Sequence, residues 1–468
     1  MFGRKKYDFD LIVIGSGAGG SVGAHSAVNM GKKVAIFEKS EVGGECPNWA
    51  CIPTKALLHA AEIYDIANTG EDYGTKVKGV DLDLKQVKAW RDLVVERTGA
   101  QHGAESFKHE HIKLIPEYAK FISPHEVEAG GKTYSAHNFL IATGTNVFVP
   151  PIEGLKETGY ITFREMGAVE NVPKSLFILG GSAVGCEFAQ IFNKFGTKVT
   201  IADSVDKLLF REDKEVSELV QGLFEQDGIN VLTKIEVLSV EKKGDKKIVH
   251  YRHASGGSSS SAYKKSGEKH SIEVEEILVS TGKRPVLDFD PEKAGIKIEN
   301  GRLNVNQYLQ TNVKHIYAAG DIIGPYQFTP TGYYQSDIAA NNMFKNKKIK
   351  PDYTVVPRAV YTTPEVSSVG VTESQLKEKG IKYKVGIAPT GIVGRANTSD
   401  EFNGLVKVIT DPKGYILGAA IVCPNAGEMI HELALGMKLK AKASDIADMI
   451  HAYPTFSEAI KIACSSIE

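Results

Sequence analysis

The stretch Gly43-Gly44-Glu45-Cys46-Pro47-Asn48-Trp49-Ala50-Cys51-Ile52-Pro53-Thr54-Lys55 holds two cysteines with four residues between them. In a regular helix an i, i+5 pair is too far apart and too badly aimed for a disulfide, whose Cα atoms lie within ~7 Å, so a bridge here demands a distorted turn. A strained bridge is a readily reduced one. A helix starting near Cys51 would bring its N-terminus to that sulfur, lower the thiol pKa and favour a thiolate able to donate charge to an acceptor. Two other readings compete: a metal site, for which no third or fourth ligand stands nearby, and a pair of buried inert thiols. Five cysteines in 468 residues are too few and too odd for a secreted disulfide framework, so any disulfide is expected to be redox-active.

The element before this stretch reads as strand, turn, helix, strand. Leu11 to Ile14 is followed by Gly15-Ser16-Gly17-Ala18-Gly19-Gly20, a helical stretch from Ser21, and Lys33 to Phe37 ending at Glu38. In that context the glycines form a dinucleotide fingerprint. Gly15 makes the turn, Gly17 lets the backbone approach a pyrophosphate, and Gly20 lets helix and strand pack closely. The helix N-terminus offers free N–H groups and its dipole to the anion. Glu38, eighteen residues after Gly20, is placed to accept a hydrogen bond from a ribose hydroxyl.

A second unit opens with Leu176 to Leu179, then Gly180-Gly181-Ser182-Ala183-Val184-Gly185, a helix through Phe195, and the strand Lys198 to Ala202 ending at Asp203. Ser182 stands where the middle glycine belongs, which makes a close phosphate approach less assured. A carboxylate at Asp203 hydrogen-bonds a free 2′-hydroxyl and repels a 2′-phosphate, so NADH is expected over NADPH. Each unit closes on an apolar strand and a small-residue turn, Phe139-Leu140-Ile141-Ala142-Thr143-Gly144 and Ile277-Leu278-Val279-Ser280-Thr281-Gly282, which implies a duplicated architecture. The low-complexity run Ala254 to Gly267 most simply joins two strands of the second unit. From about Pro351 alternating strands (Gly404 to Ile409, Ile416 to Val422) and helices continue without another phosphate loop, giving a third domain.

At ~150 residues per domain, the length also suggests about three domains. With 42% hydrophobic and 24% charged residues and a net charge of −1, composition excludes wholesale disorder and offers no field for nucleic acid or an anionic bilayer, so small-molecule partners are expected. No apolar run approaches the ~18 residues of a membrane span, and the Arg4-Lys5-Lys6 tip before Leu11 is broken by Asp8 and Asp10, unlike a signal peptide; a cytoplasmic location is expected.

These motifs, in this order, resemble the flavin-dependent pyridine nucleotide–disulfide oxidoreductases, the family of dihydrolipoamide dehydrogenase, glutathione reductase and mercuric reductase. The resemblance rests on both glycine loops, the CxxxxC-IPTK run, the Ala142-Thr143-Gly144 turn and Tyr317-Ala318-Ala319-Gly320-Asp321, and it covers nearly the whole chain. It implies an α/β chain with two Rossmann-like domains and a C-terminal α+β dimerisation domain. FAD would bind residues 1–150 and 283–345, NAD(H) would bind 151–282, and 346–468 would dimerise. It further implies FAD near Gly44, Ala119, Thr143, Gly144 and Asp321, and nicotinamide nucleotide near Gly180, Gly185 and Gly282. Cys51 would be the flavin-proximal thiol and Cys46 the thiol that exchanges with substrate. Lys55 and Glu187 would form an ion pair beside the flavin ring.

The resemblance also implies a homodimer whose C-terminal segment completes the partner's site. That segment is His451-Ala452-Tyr453-Pro454-Thr455-Phe456-Ser457-Glu458. Disulfide reductases place a His before the Pro-Thr, paired with the Glu; here Glu458 is kept and Tyr453 takes the His position, as in mercuric reductase. A His near pKa ~6.5 shuttles protons, whereas a Tyr near ~10 stays protonated and donates or coordinates. Yet Cys464 stands alone where mercuric reductase carries a vicinal pair. The expected activity is electron transfer between NAD(H) and the Cys46–Cys51 disulfide, like dihydrolipoamide dehydrogenase. The rivals are a metal-ion or quinone reductase and a slowly turning redox sensor. His451 is read mainly as a hydrogen-bonded structural residue, and His109-Glu110-His111 as a solvated helix face.

Overall fold

The computed structural model describes residues 6–109, 111–253 and 267–467. The chain packs into two compact units, the first of residues 1–56, 86–148 and 283–352, the second of 57–85, 149–282 and 353–468.

In the first unit, the strand Phe9–Ile14 pairs in parallel with Val34–Phe37 on one side and Lys132–Ile141 on the other. Lys113–Ile115 extends the sheet beyond Val34–Phe37, and Ile316–Ala318 beyond Lys132–Ile141. Leu11, Ile12 and Val13 are fully buried, as a parallel strand covered on both faces requires. The helix Ala18–Asn29 follows the first glycine loop, starting three residues earlier than its sequence suggests, with Gly17 at the N-cap. The helix Thr329–Phe344 packs along it. The segments after the two small-residue turns meet in a short antiparallel ribbon, Thr145–Val147 against Lys283–Pro285.

The second unit contains the other nucleotide-type sheet. Its parallel strands run Asn230–Leu232, Lys198–Ala202, Ser175–Leu179 and Glu276–Val279. The helix Ala183–Lys194 follows the second glycine loop. An antiparallel sheet of Ile235–Lys243, Lys246–His253 and Lys269–Val274 adjoins it in sequence. Its last two strands flank residues 254–266, so the low-complexity run expected to join two strands lies outside the described residues. Glu110 lies outside them too, and so does the side chain of His109. The helix there ends at His109, and His111 follows at φ +58, so His111 sits in a turn rather than on a helix face.

The C-terminal part is an antiparallel sheet ordered Arg358–Val360, Glu365–Gly370, Ile416–Cys423, Leu405–Thr410, Lys384–Pro389. The helices Ala426–Leu439 and Glu458–Ser465 bury their apolar sides in its core, around Leu433, Ile430, Ile421 and Ile460. Lys407, in the middle of an otherwise apolar strand, is fully buried. Its ammonium lies 2.5 Å from Glu373, 2.8 Å from Glu215 and 3.6 Å from Asp213, because a buried charge persists only when paired. With the Glu212–Arg358 pair (2.8 Å), it ties the start of the helix Lys214–Gln226 to the C-terminal sheet.

Candidate active site

Cys46 lies in the short helix Glu45–Asn48, and Cys51 is the first residue of the helix Cys51–Thr69, with Trp49 and Ala50 between them. This is the interrupted backbone a CxxxxC pair needs, and it places Cys51 where the sequence reading wanted it, at a helix N-terminus. Both are thiols here, and their sulfurs share a hydrogen bond. The Thr329 hydroxyl lies 3.9 Å from the Cys51 sulfur. The Cys51 thiol is pushed down to about 6, chiefly by the hydrogen bond from Cys46, against the opposing effect of burial and with help from Lys55, Thr329 and Lys283. The Cys46 thiol is pushed up, first by donating that bond and then by burial. The pair therefore holds one proton on Cys46 and leaves Cys51 as the thiolate.

Lys55 stands one helical turn after Cys51 on the same face. Further groups that the sequence reading gave no role join the site. Lys283, the first residue of its ribbon, ion-pairs with Glu45, and its Nζ lies 4.0 Å from Asp321. Thr145 donates to the same Asp321 oxygen at 3.3 Å. Burial raises the Asp321 pKa, with Lys283 opposing. Tyr333, one turn after Thr329 in its helix, has its phenol pKa raised by burial and by the two cysteines. Glu45 lay inside the cysteine stretch, so position alone could have flagged it, whereas Lys283 reaches it from 238 residues away. Nothing local flagged Tyr333.

The first glycine loop fits a dinucleotide. Gly15 has φ +101, and a Cβ there would stand 2.3 Å from the Ala142 carbonyl oxygen. A Cβ on Gly20 would stand 1.9 Å from the Gly15 carbonyl oxygen, so only glycine allows that helix to close on its strand. Gly17 faces Gly44, whose own Cβ would come within 2.7 Å of Gly17 Cα. No side chain caps the helix at Gly17, which leaves its N-terminus to an anion. Glu38 accepts from the Ser16 N–H (3.0 Å) and hydroxyl (2.7 Å) and from the Ser40 N–H (2.9 Å). Thr143 donates to the Val286 carbonyl (2.8 Å), Gly144 turns at φ +68, and Ala119 is fully buried ahead of the strand Lys120–Ser123. FAD bound on this frame supplies a two-electron relay between a nicotinamide and a disulfide.

In the second loop, Gly180 (φ +111) and Gly185 repeat the first and last glycine. Ser182 turns its hydroxyl inward to the Ser280 carbonyl (3.1 Å). Asp203 accepts from the Gly181 N–H (2.6 Å) and the Val205 N–H (3.2 Å). Gly282 turns at φ +114. Glu187 is buried in the helix Ala183–Lys194 and accepts from the Tyr361 N–H at 3.0 Å.

In the C-terminal segment, Tyr453 is 78% exposed, while Glu458 opens the last helix and accepts from the Thr455 N–H at 3.3 Å. His451 is nearly buried, with its Nε2 3.0 Å from Glu432 Oε1. Among the described residues, the one grouping of acidic side chains close enough to hold a metal is Asp213, Glu215 and Glu373, where the Lys407 ammonium sits. No helix is long and apolar enough to cross a membrane, among the described residues.

Comparison with known proteins shows the family. Residues 9–340 match the family model of the pyridine nucleotide-disulphide oxidoreductases, and residues 356–464 match that family's dimerisation domain. Dihydrolipoyl dehydrogenase of Thermus scotoductus is 37% identical over 465 residues, covering 98% of this chain and 97% of that protein. Mercuric reductase of Bacillus cereus is 33% identical over 461 residues, covering 98% of this chain and 71% of that protein. Among solved structures, the HOCl-induced flavoprotein disulfide reductase RclA of Escherichia coli superposes with a TM-score of 0.85 at 27% identity, covering 97% of this chain and 99% of that one. The chain belongs to the pyridine nucleotide-disulphide oxidoreductases, FAD enzymes that move electrons between a nicotinamide nucleotide and a redox-active cysteine pair.

Proposed function

We propose that the chain is an NADH:disulfide oxidoreductase, like dihydrolipoamide dehydrogenase, whose working pair is Cys46–Cys51, with Cys51 on the flavin side and Cys46 on the substrate side; the second reading, prompted by Tyr453, is a metal-ion or quinone reductase whose acceptor needs no proton shuttle. The observation that carries this reading is the unequal pair. Cys51 is a stabilised thiolate at a helix start, and Cys46 keeps the proton and is the thiol a substrate would meet. Two electrons and one proton entering the disulfide leave a Cys51 thiolate and a Cys46 thiol. Asp203 supports the choice of NADH, and the nearby Lys207 has its ammonium on the Glu212 carbonyl (2.5 Å). Lys55 and Glu187 are assigned to the ion pair beside the flavin ring, and residues 151–282 to nicotinamide nucleotide. FAD is assigned to 1–150 with 283–345, and dimerisation to 346–468.

Tyr453 and Glu458 are assigned to the neighbouring subunit's site in a homodimer, a reading supported by the exposure of Tyr453 and Ile450 on a segment matching a dimerisation domain. A phenol is a much weaker base than an imidazole, so exchange with a free dithiol should be slower than with a His in that position. Soft metal ions or quinones are the acceptors of the second reading. The B. cereus relative is named as a mercuric reductase and an RclA structure as a Cu(II) complex (TM-score 0.85, 27% identity), which supports the metal reading. The test is steady-state NADH oxidation against lipoamide, glutathione disulfide, quinones and soft metal ions. Tyr453→His should raise lipoamide turnover by ~10²-fold or more and quinone turnover far less. Fast lipoamide turnover by the wild type would sink the second reading.

A further inference from the structure

The segment from Asp203 to Asp213 is tied down at both ends, and only its first end is held by the nucleotide-type sheet. At its start, the Asp203 carboxylate accepts from the Gly181 N–H at 2.6 Å and from the Val205 N–H at 3.2 Å. Further along, the Leu209 N–H donates to the Gly181 carbonyl at 2.9 Å, so both backbone groups of Gly181 are held by this one segment. A Cβ on Gly181 would stand 2.5 Å from Leu208 Cδ2, which shows how closely the segment packs on the glycine loop. Leu209 has φ +48, a left-handed conformation that is strained for a leucine and persists only where its surroundings impose it. The residues that pin it are Glu212 and Asp213, both buried. The Glu212 N–H donates to the Leu209 carbonyl at 2.8 Å. Its carboxylate accepts from Arg358 Nε at 2.8 Å and Nη2 at 3.0 Å, and from the Ser368 hydroxyl at 2.7 Å. Asp213, at the N-cap of the helix Lys214–Gln226, accepts from the Glu373 N–H at 3.0 Å and lies 3.6 Å from the Lys407 ammonium. Arg358, Ser368 and Lys407 all stand on strands of the C-terminal sheet.

We infer that Glu212 is a positioning residue for the nicotinamide nucleotide: gripped by Arg358 and Ser368, it holds the Asp203–Asp213 segment against Gly181, so that the C-terminal sheet sets how tightly the second glycine loop binds NADH. The inference rests on the assignment of that loop to the nucleotide. A two-pronged guanidinium–carboxylate pair fixes direction as well as distance. With Ser368 it gives the Glu212 carboxylate three donors in a place shielded from water, where such bonds keep more of their strength. Without that grip the strained Leu209 relaxes, its N–H leaves the Gly181 carbonyl, and Asp203 loses its fixed place at the ribose end. The helix Ala183–Lys194 is held separately. Its buried Gln190 accepts from the Thr363 N–H at 2.7 Å and donates to the Thr363 carbonyl at 2.8 Å, so the helix stays docked when the segment loosens. The effect therefore falls on nucleotide affinity and not on the sheet beneath it.

The test mixes the full-length FAD-loaded enzyme with NADH in a stopped-flow spectrometer, where the rate of flavin bleaching against NADH concentration gives half-saturation and limiting rate separately. Glu212→Gln and Arg358→Met should each raise half-saturation about tenfold, the worth of one buried bond to a charged group, with the limiting rate within about twofold of wild type and flavin content unchanged. The double variant should lie close to the single ones and not at their product, because both remove one interaction. Ser368→Ala leaves the ion pair in place and should raise half-saturation about threefold, which keeps the test open if a charge variant does not fold. Saturation by NADPH should worsen less than saturation by NADH, because Asp203, the group that discriminates between them, is displaced. Unchanged half-saturation in Ser368→Ala and in the charge variants that fold would overturn the inference. So would a limiting rate and flavin content that fall in step with half-saturation, since the grip would then only hold the fold. A Cβ on Gly185 would meet the Gly180 carbonyl oxygen at 2.0 Å. If Gly185→Ala left saturation by NADH unchanged, the assignment of the loop to the nucleotide would fall instead.

Discussion

The two glycine loops share a backbone and differ in what covers them. In both, the first glycine has a positive φ and a Cβ would strike the carbonyl ending the neighbouring strand, at 2.3 Å for Gly15 and 2.6 Å for Gly180. In both, the last glycine lies against the carbonyl of the first, at 1.9 Å for Gly20 and 2.0 Å for Gly185. In both, the acid at the second strand's end folds back onto an N–H of the turn, Glu38 onto Ser16 and Asp203 onto Gly181. The difference is at the middle position. Gly17 is faced by Gly44 of the cysteine stretch, and Ser16 also accepts from the Gly43 N–H at 3.1 Å, so the redox segment is built onto the first loop. The second loop carries Ser182, turned inward. A loop built into the redox segment suits a group that stays bound, and an independent loop suits a nucleotide that leaves at every turnover.

The strongest way to break this comparison is at the last glycines. The obstructing atom is backbone in each case, so Gly20→Ala and Gly185→Ala each force a main-chain shift costing ~3 kcal/mol or more, worth ~10²-fold in binding. Gly20→Ala should purify without flavin absorbance. Gly185→Ala should keep the flavin and lose NADH-driven reduction by ~10²-fold. Loss of flavin from both would mean the loops are not independent. Gly17→Ala sharpens the point. A Cβ at Gly17 meets only Gly44 at 3.7 Å and 3.9 Å from Gly43, ordinary contacts the protein tolerates. Its thermal unfolding without added FAD should match wild type, while FAD affinity falls by about tenfold, the worth of hydrogen bonds to a charged phosphate that can no longer approach. Unchanged affinity would remove Gly17 from the pyrophosphate site.

A smaller effect is expected at the acids. Asp203→Asn keeps an oxygen for the Gly181 N–H but removes the charge that accepts from a ribose hydroxyl and repels a 2′-phosphate. The ratio of kcat/KM for NADH to that for NADPH should fall about five- to tenfold. An unchanged ratio would place the nucleotide selection elsewhere.

These loops were legible in the sequence because much of their constraint is local: a Cβ on Gly20 would strike the Gly15 carbonyl oxygen five residues back, and Gly15 itself turns at φ +101, a region that favours glycine. The start of the first helix was read three residues late, since Ala18-Gly19-Gly20 has poor helix propensity and is helical because strand packing holds it there. The cysteine turn was legible from spacing, and the Cys51 helix start followed. Thr329 and Lys283 were not, because they reach Cys51 and Glu45 from 278 and 238 residues away and leave no periodic trace. Lys407 was missed for the same reason: three carboxylates brought together by packing make a buried lysine tolerable in a strand that reads as apolar.

Ser182 gives the smallest expected effect and the finest test of the difference between the loops. Its place at the helix N-cap would normally let a serine oxygen accept from the helix's free N–H groups, yet no such bond forms, and the hydroxyl donates to Ser280 instead. The side chain therefore points at its own strand end, and the helix N–H groups stay available to an incoming phosphate although the middle glycine is missing. Ser182→Ala should remove one neutral hydrogen bond, costing ~1 kcal/mol of stability. Neither Ser182→Ala nor Ser182→Gly should change KM for NADH by more than about twofold, because a glycine at an N-cap costs only a few tenths of a kcal/mol. If Ser182→Gly instead tightened NADH binding tenfold, the serine would be obstructing the pyrophosphate, and the second loop would be an impaired copy of the first rather than an equivalent one.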